Sequence, residues 1–209
     1  MAFPTVEFIA APATEAFRAS PHNVSTVKPT VDILKSAEGM IRVYYGLEDE
    51  DKSSAYVCVA WETLIHHHNL MKDTEKYPKL SEDINSILDV SGIRMFHVAF
   101  TSEPYGALEA PVTEVATFTL HEGQSKDALE GLVDDLATAM NAAPKSAGVI
   151  LAAWGPTVEK DDLIALVIGW TSIDAHWALV ATDQPIKDLI EQIRGIATIT
   201  VKHVALAHH

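Results

Sequence analysis

The stretch WETLIHHHNL, residues 61–70, has a counterpart 109 positions later in WTSIDAHWAL, residues 170–179. The same offset aligns several specific landmarks: Gly39 with Gly148, Ile41 with Ile150, Gly46 with Gly155, Trp61 with Trp170, His67 with His176 and Leu70 with Leu179. One offset shared by residues as uncommon as tryptophan and histidine indicates an internal duplication.

The duplication predicts how the chain is divided. The second repeat then lacks three residues, after which the alignment continues, and His-Val-Ala at 97–99 aligns with His-Val-Ala at 203–205. We predict a first repeat over residues 1–102 and a second over 113–209. The segment between them, 103–112, contains Pro104 and Gly106 and is predicted to be a linker.

Each repeat shows the same order of elements. In the second repeat, TEVATFTL (113–120) alternates as a strand does, and a helix follows with Ser125 as its cap. Two apolar strands joined by an acidic turn come next, GVILAAWG (148–155) and LIALVIGW (163–170). A helical region and a final strand, ITVKHVALA (199–207), complete a β-α-β-β-α-β unit, which is the ferredoxin-like order.

The strand before Trp61 predicts how the repeats are arranged. Such a unit carries helices on one face of its sheet, yet both faces here are apolar: Val57, Val59 and Trp61 alternate with Tyr56, Cys58 and Ala60. Packing the two units sheet to sheet would cover the second face. The predicted fold class is α+β, with two ferredoxin-like repeats forming an intrachain pseudo-dimeric α+β barrel.

These motifs resemble a known superfamily. An aromatic-glycine strand end, an acidic turn, a strand ending in Trp and a helix start with His are similar to the dimeric α+β barrels. WTSIDAHWAL resembles antibiotic-biosynthesis monooxygenase-like domains, and VYYG (43–46) resembles stress-responsive A/B barrel domains, which include polyketide cyclases. The resemblance implies a cavity between sheet and helices in each half. It also implies a choice among cofactor-free monooxygenases, cyclases, heme-handling enzymes and non-catalytic proteins.

Composition narrows the class of partner. The 209 residues carry a net charge of −14, which argues against nucleic acid and anionic membranes. No apolar run reaches the roughly 18 residues of a membrane helix. The start of the sequence does not look like a signal peptide, and the single cysteine suits a reducing compartment, so we expect a cytoplasmic protein. The expected partner is a hydrophobic small molecule, bound by a monomeric pseudo-dimer or a homodimer.

The three consecutive histidines do not indicate a metal site. Successive helix residues turn by about 100°, so His66, His67 and His68 fan out and do not converge on one ion. Only Glu62 with His66 has a ligand spacing, and the second repeat lacks it. We predict no metal and no cofactor, with heme as a weaker alternative. The C-terminal His208 and His209 are not counted as site candidates, because terminal histidines are as consistent with an added tail as with a native end.

Two histidine pairs are the candidates for acid-base chemistry. His67 and His176 begin a helix, where each could act as a base or could only pack on the repeated tryptophan. His97 and His203 lie in strands beside apolar residues, so each must find a partner, in a cavity or in a structural hydrogen bond. We predict His97 and His67 as catalytic residues, with Tyr44 or Tyr56 polarising a substrate carbonyl.

The remaining candidates form a binding wall: Tyr45, Trp61, Trp154, Trp170, His176 and His203. Such aromatics are also typical of plain core. The repeats differ at positions where a pocket would differ, since Tyr44 aligns with Ala153, Tyr56 with Ala165 and His68 with Trp177. The first repeat is therefore expected to hold the working polar pocket.

The function favoured by these residues is cofactor-independent catalysis on an apolar, oxygenated small molecule such as a polyketide or aromatic. Proton removal would give an enolate, which then cyclises or reacts with oxygen. The alternatives are a non-catalytic small-molecule-binding or stress-response barrel and a heme-binding protein. Lys72–Tyr77 lacks the histidine that related cyclases carry there, which weighs against cyclisation.

Overall fold

The computed structural model describes residues 3–209. The chain is divided into two compact units: the first runs through His97 and includes Leu206–His209, and the second is Val98–Ala205. It is a mixed α+β protein, as the sequence predicted, with one antiparallel sheet of five strands and one of four. No helix within residues 3–209 has both the length and the apolar character needed to cross a membrane.

The first unit follows the predicted order, with each helical region split in two. Its strands are β1 (Thr5–Pro12), β2 (Met40–Leu47), β3 (Ser54–Trp61) and β4 (Arg94–Ala99). Its helices are α1 (Glu15–Ala19), α2 (Val24–Lys35), α3 (Leu64–Lys72) and α4 (Lys76–Asp83), followed by short 3₁₀ turns at Ile84–Ser86 and Val90–Gly92. The sheet order is β4-β1-β3-β2-β9, in which β9 is the short C-terminal strand Ala207–His208.

The second unit repeats this plan. A short helix, α5 (Tyr105–Leu108), precedes β5 (Val112–Leu120), α6 (Lys126–Ala142), a 3₁₀ turn (Lys145–Ala147), β6 (Val149–Pro156) and β7 (Leu163–Trp170). Helices α7 (Ile173–Thr182) and α8 (Gln184–Ile196) lead into β8 (Ala197–Val204). The order β6-β7-β5-β8 corresponds strand for strand to β2-β3-β1-β4.

Two regions differ from the simplest repeat boundaries. The segment predicted to be a linker contains α5, whose Ala107 and Leu108 are fully buried. The last residues of the chain pair with β2 of the first unit, since His208 lies opposite Tyr44 and Ala207 opposite Tyr45. The C-terminus therefore adds a fifth strand to the first sheet.

Local details also match between the two sheets, as a duplication predicts. A register shift lies between Met40 and Arg42 in β2, and another lies between Val149 and Leu151 in β6. Each strand follows a glycine with positive φ, Gly39 at +73° and Gly148 at +86°.

The core of each unit lies between its sheet and its helices. In the first unit Val57, Val59 and Trp61 face this core with Leu34 of α2, while the alternate residues of β3 point the other way. All of β7, and all of β3 after Ser54, are buried. The central strands are therefore covered on both faces. This explains why their sequences are continuously apolar and do not alternate between apolar and polar residues.

Candidate functional site

A polar cluster is buried at the end of the first core. It consists of Glu7 on β1, Trp61 at the end of β3, His67 on α3 and His97 on β4, and we call these four residues the first cluster. Their exposed fractions are 4% for Glu7, 4% for His67, 2% for His97 and 0% for Trp61. Charged and imidazole groups this deeply buried require partners, and here they supply one another.

The second unit contains the same four residue types at the corresponding places. The second cluster consists of Glu114 on β5, Trp170 at the end of β7, His176 on α7 and His203 on β8. All are at most 5% exposed. The sequence comparison had aligned the tryptophans and histidines but had not identified either glutamate.

Strand register brings each glutamate to its tryptophan. Glu7 lies opposite Val59 and Thr5 lies opposite Trp61, so Glu7 and Trp61 are diagonal neighbours on one face of the sheet. The Trp61 Nε1–H donates to Glu7 Oε2 at 3.1 Å. In the second unit Trp170 Nε1–H donates to Glu114 Oε2 at 2.8 Å. Each tryptophan therefore fixes one oxygen of a buried carboxylate.

The helix that follows the tryptophan places a histidine over it. Thr63 and Ser172 precede α3 and α7, and His67 and His176 are the fourth residue of each helix. The His67 ring stacks on Trp61 with centroids 5.3 Å apart and planes inclined by 19°. His66 and His68 turn away from this contact because adjacent helix residues differ by about 100° in direction.

The two histidines of each cluster are joined by a short hydrogen bond. Nδ1 of His67 lies 2.7 Å from Nε2 of His97, and Nδ1 of His176 lies 2.8 Å from Nε2 of His203. One nitrogen of each pair donates a proton and the other accepts it, so the pair shares one proton.

The other nitrogen of the helical histidine approaches the glutamate. Nε2 of His67 is 3.6 Å from Oε1 of Glu7, and Nε2 of His176 is 3.6 Å from Oε2 of Glu114. The tryptophan–carboxylate and imidazole–imidazole contacts are hydrogen bonds, whereas 3.6 Å between imidazole and carboxylate is longer than one. The bonded imidazole pair can hold or move a proton in surroundings with little water.

Burial determines the charge of His176, the helical histidine of the second cluster. Removal from water, and to a smaller extent the neighbouring His203, lower the pKa of His176 to about 4. His176 is therefore neutral at pH 7, and a neutral imidazole can accept a proton.

The clusters also contain the donor set of a transition-metal site. Within residues 3–209, the two groups of three ligand-type side chains with ligand atoms inside 4.8 Å are Glu7, His67 and His97 and their second-unit equivalents Glu114, His176 and His203. Two nitrogens bound to one tetrahedral ion at 2.0–2.1 Å would lie about 3.3 Å apart. The observed 2.7 and 2.8 Å are hydrogen-bond distances, so the geometry fits a shared proton better than a shared ion.

A cavity lies beside each cluster. The cavity next to the first cluster, cavity one, has a volume of about 240 Å³ and is lined by Glu7, Trp61 and His67. The rest of its wall is mainly aliphatic, with Tyr77 and Ser81 as the additional polar side chains. Cavity two has a volume of about 110 Å³, and Glu114, His176, Trp177 and Arg194 contribute to its wall. Both are smaller than the roughly 300–1,000 Å³ of typical ligand pockets, and neither fits heme as it stands.

The predicted tyrosines do not share cavity one. Tyr44 and Tyr56 alternate with Tyr45 and Val57, which face the helices, so both point to the opposite face of the sheet. Burial raises the pKa of Tyr56, with Glu48 adding to the effect, so it is a neutral phenol. The expectation that either tyrosine polarises a carbonyl beside His67 is not supported by this placement.

The other predicted wall residues are divided between core and cluster. Tyr45 packs edge-on against Phe17, and its hydroxyl is 3.2 Å from Nε2 of His209. Trp154 donates from Nε1 to Asp134 at 2.8 Å. Neither lines a cavity that contains a cluster residue.

A pattern in the sequence indicates the two glutamates that the sequence comparison had not identified. VEFIAA and TEVATFTL are apolar strands that each contain one glutamate near their start. An acidic residue repeated inside a buried strand is uncommon unless it is paired, which marks it as a site candidate.

Solved structures of other proteins share the fold of this chain. No protein-family model matches the chain, and neither does any curated protein. A solved structure of a candidate monooxygenase from Fusobacterium nucleatum is 12% identical, covers 98% of this chain and 93% of its own, and superposes with a TM-score of 0.70. An anthrone oxidase-like protein is also 12% identical, with 99% and 92% covered and a TM-score of 0.71.

A third structure extends the comparison. A candidate monooxygenase from Lactobacillus acidophilus NCFM is 13% identical, with 97% of this chain and 93% of its own covered and a TM-score of 0.66. The chain therefore has the fold of these solved structures, and its two sheets fit the predicted duplication.

Proposed function

We propose that this protein is an oxygenase-type enzyme that needs no metal or organic cofactor. Its substrate would be an apolar, oxygenated small molecule, such as an aromatic or polyketide-like compound, bound in cavity one. The observation that carries the proposal is the buried His67–His97 hydrogen bond beside an apolar cavity that also contains the Glu7 carboxylate. The monooxygenase and anthrone oxidase-like descriptions of proteins with this fold support the reaction class.

His67 is the proposed base. When its Nδ1–H is donated to Nε2 of His97, its Nε2 retains a lone pair and can take a proton from a substrate carbon next to a carbonyl. His97 acts as a positioning residue that fixes this tautomer, because it accepts the other proton. This pairing resembles the way a buried acceptor orients the histidine of a catalytic triad.

Glu7 stabilises the charge that follows. Once His67 is protonated, its imidazolium lies 3.6 Å from a carboxylate oxygen that is buried and held by Trp61. Attraction between opposite charges is strong where water is excluded. The same contact therefore favours transfer of the substrate proton to His67.

The substrate anion then reacts with oxygen. An enolate can give one electron to O₂, and the resulting radical pair can combine to a peroxide anion at that carbon. The peroxide takes back the proton held by the His67 imidazolium, which gives the hydroperoxide and restores the base. Loss of water from the hydroperoxide converts a CH₂ group and O₂ into C=O and H₂O, which balances the reaction. The protein contributes binding, proton removal and exclusion of bulk water, and the substrate supplies the electrons.

The test is oxygen consumption with a compound of the proposed class. Anthrone is a suitable probe, with anthraquinone followed by absorbance, the uncatalysed rate subtracted and EDTA present throughout. His67→Gln should lower kcat by about 10²–10⁴-fold, the range for loss of a general base. His68→Gln is the matched control, because His68 is exposed on the same helix.

Three results would contradict the proposal. Equal turnover by the wild type and His67→Gln would remove the assigned base. Activity lost in EDTA and restored by a metal would make the protein metal-dependent. Saturable binding of several compounds of this class, without turnover of any, would favour the non-catalytic binding protein.

A further inference from the structure

The rims of the two cavities differ in chemistry. Val90, Ile93 and Met95 line cavity one and are 40%, 43% and 39% exposed, so its entrance is aliphatic. Cavity two is lined at its exposed side by Trp177, which is 54% exposed, and by Arg194. Arg194 is the only cationic side chain that lines either cavity in the part of the chain described.

Arg194 is placed to reach a ligand at the entrance. It lies on α8 one turn after Ile190, and both residues line cavity two. Its side chain is 61% exposed and also contacts Glu191 on the helix surface. A guanidinium in this position offers further N–H donors to an anion.

The buried side of cavity two excludes an anion. Glu114 lies there at 5% exposure, with its carboxylate bonded to Trp170. A second negative charge beside it would be repelled and would lose its water. A charged ligand would therefore keep its anionic group at the rim and point its apolar part toward His176.

Size limits the apolar part. The volume of about 110 Å³ is less than half that of cavity one. An apolar cavity of about 150 Å³ accepts benzene, so one ring or a short chain is the upper limit here.

We infer that cavity two is a second ligand site, selective for a small apolar carboxylate whose charged group pairs with Arg194 and whose apolar group packs against Trp177. This binding does not depend on turnover in the first unit, so it goes beyond the proposed function. The net charge of −14 makes a general attraction for anions a poor explanation for such binding.

The experiment compares phenylacetate with phenylacetamide, which has the same shape and no charge, by isothermal titration calorimetry. The wild type should bind the acid about fivefold more tightly, the scale of a solvent-exposed ion pair. Arg194→Gln should reduce the difference to less than twofold. Lys160→Gln removes one exposed positive charge that lines neither cavity and should leave the preference intact.

A second readout locates the ligand. Trp177 emission should change when phenylacetate binds, and this change should disappear in Trp177→Phe while calorimetric binding persists. Arg194→Lys keeps the charge and should retain part of the preference, which covers the case in which Arg194→Gln folds poorly. His67→Gln should not affect phenylacetate binding, so failure of the proposed catalysis would be seen separately.

Several outcomes would overturn the inference. The first two are equal affinity for the acid and the amide, and no measurable binding of either. The others are a preference for the acid that survives in Arg194→Gln, or an equal reduction of that preference in Arg194→Gln and Lys160→Gln. Emission changes that persist in Trp177→Phe would place the ligand elsewhere.

Discussion

The first and second clusters have nearly the same internal distances, yet the cavities beside them have different sizes and rims. The imidazole–imidazole contact is 2.7 Å in one and 2.8 Å in the other, and the imidazole–carboxylate contact is 3.6 Å in both. The cavities are about 240 and 110 Å³. The polar cluster is thus the common part of the two units, and the wall around it is where they differ.

This comparison changes the expectation that only the first repeat keeps a polar pocket. That expectation depended on Tyr44 and Tyr56, which the second repeat replaces with alanine. Both tyrosines point to the sheet face away from cavity one, so they do not distinguish the two pockets. What distinguishes them is volume, the exchange of His68 for Trp177, and Arg194.

The largest expected effect comes from removing the tryptophan of either cluster. Trp61→Ala and Trp170→Ala should each lower the free energy of unfolding by about 3–5 kcal/mol, because both rings are fully buried and each holds a carboxylate. Urea unfolding followed by circular dichroism measures this. Trp177→Ala is the control and should cost less than about 1 kcal/mol, since Trp177 is 54% exposed. A cost confined to one cluster would mean that the two are not structurally equivalent.

A smaller effect is expected at the glycines before β2 and β6. Gly39→Ala and Gly148→Ala place a side chain at positive φ, which costs about 1–2 kcal/mol. At Gly148 the new Cβ would also lie 2.6 Å from both Ala175 Cβ and Thr171 Oγ1, which cannot easily move. At Gly39 it would meet the imidazole of His66, which can rotate away.

We therefore expect the free energy of unfolding to fall by about 3 kcal/mol in Gly148→Ala and by about 2 kcal/mol in Gly39→Ala. Gly123→Ala, at φ +80° with nothing within 4 Å of the new Cβ, isolates the backbone cost at about 1 kcal/mol. Thermal unfolding of the three variants gives the order. Equal losses at all three positions would show that the close contacts carry no energy.

The last expected effect is a dependence of stability on pH through His176. Its pKa of about 4 in the folded state lies below the ordinary 6.5, so between these values the unfolded chain binds a proton that the folded chain does not. The free energy of unfolding should therefore rise from pH 4 to pH 6.5 and fall as pH is lowered through that window. The expected change in the free energy of unfolding across this window is about 2 kcal/mol after allowance for solvent screening.

His176→Gln should remove this contribution, as measured by urea unfolding at several pH values. The groups near His176 are His203 on β8 and Glu114 on β5, with Arg194 of α8 on the same cavity wall. His22→Gln is the control, since His22 is exposed in the first unit. An unchanged slope in His176→Gln would assign the pH dependence to another group.

Hydrophobic periodicity predicted the order of elements but left one ambiguity. It located β1, β3, β5 and β7 and the helices that follow Thr63 and Ser172, because repeated landmarks reinforced a weak local pattern. Strand alternation showed that Tyr56 and Val57 face opposite ways. It could not show which face meets the cavity, because β3 is apolar on both faces.

The sequence by itself determined that the chain contains two ferredoxin-like units and that a tryptophan and two histidines recur in each. Those features depend on composition and spacing, which can be compared between the repeats. Only the tertiary structure showed that Glu7 joins Trp61, His67 and His97, and that Glu114 does the same in the second unit. The physical reason is that strand register and helix entry join, by hydrogen bonds, residues that are 27 to 56 positions apart along the chain, and no local pattern specifies such contacts. Cavity volume and rim chemistry likewise depend on how helices pack over the sheet, which a strand pattern does not encode.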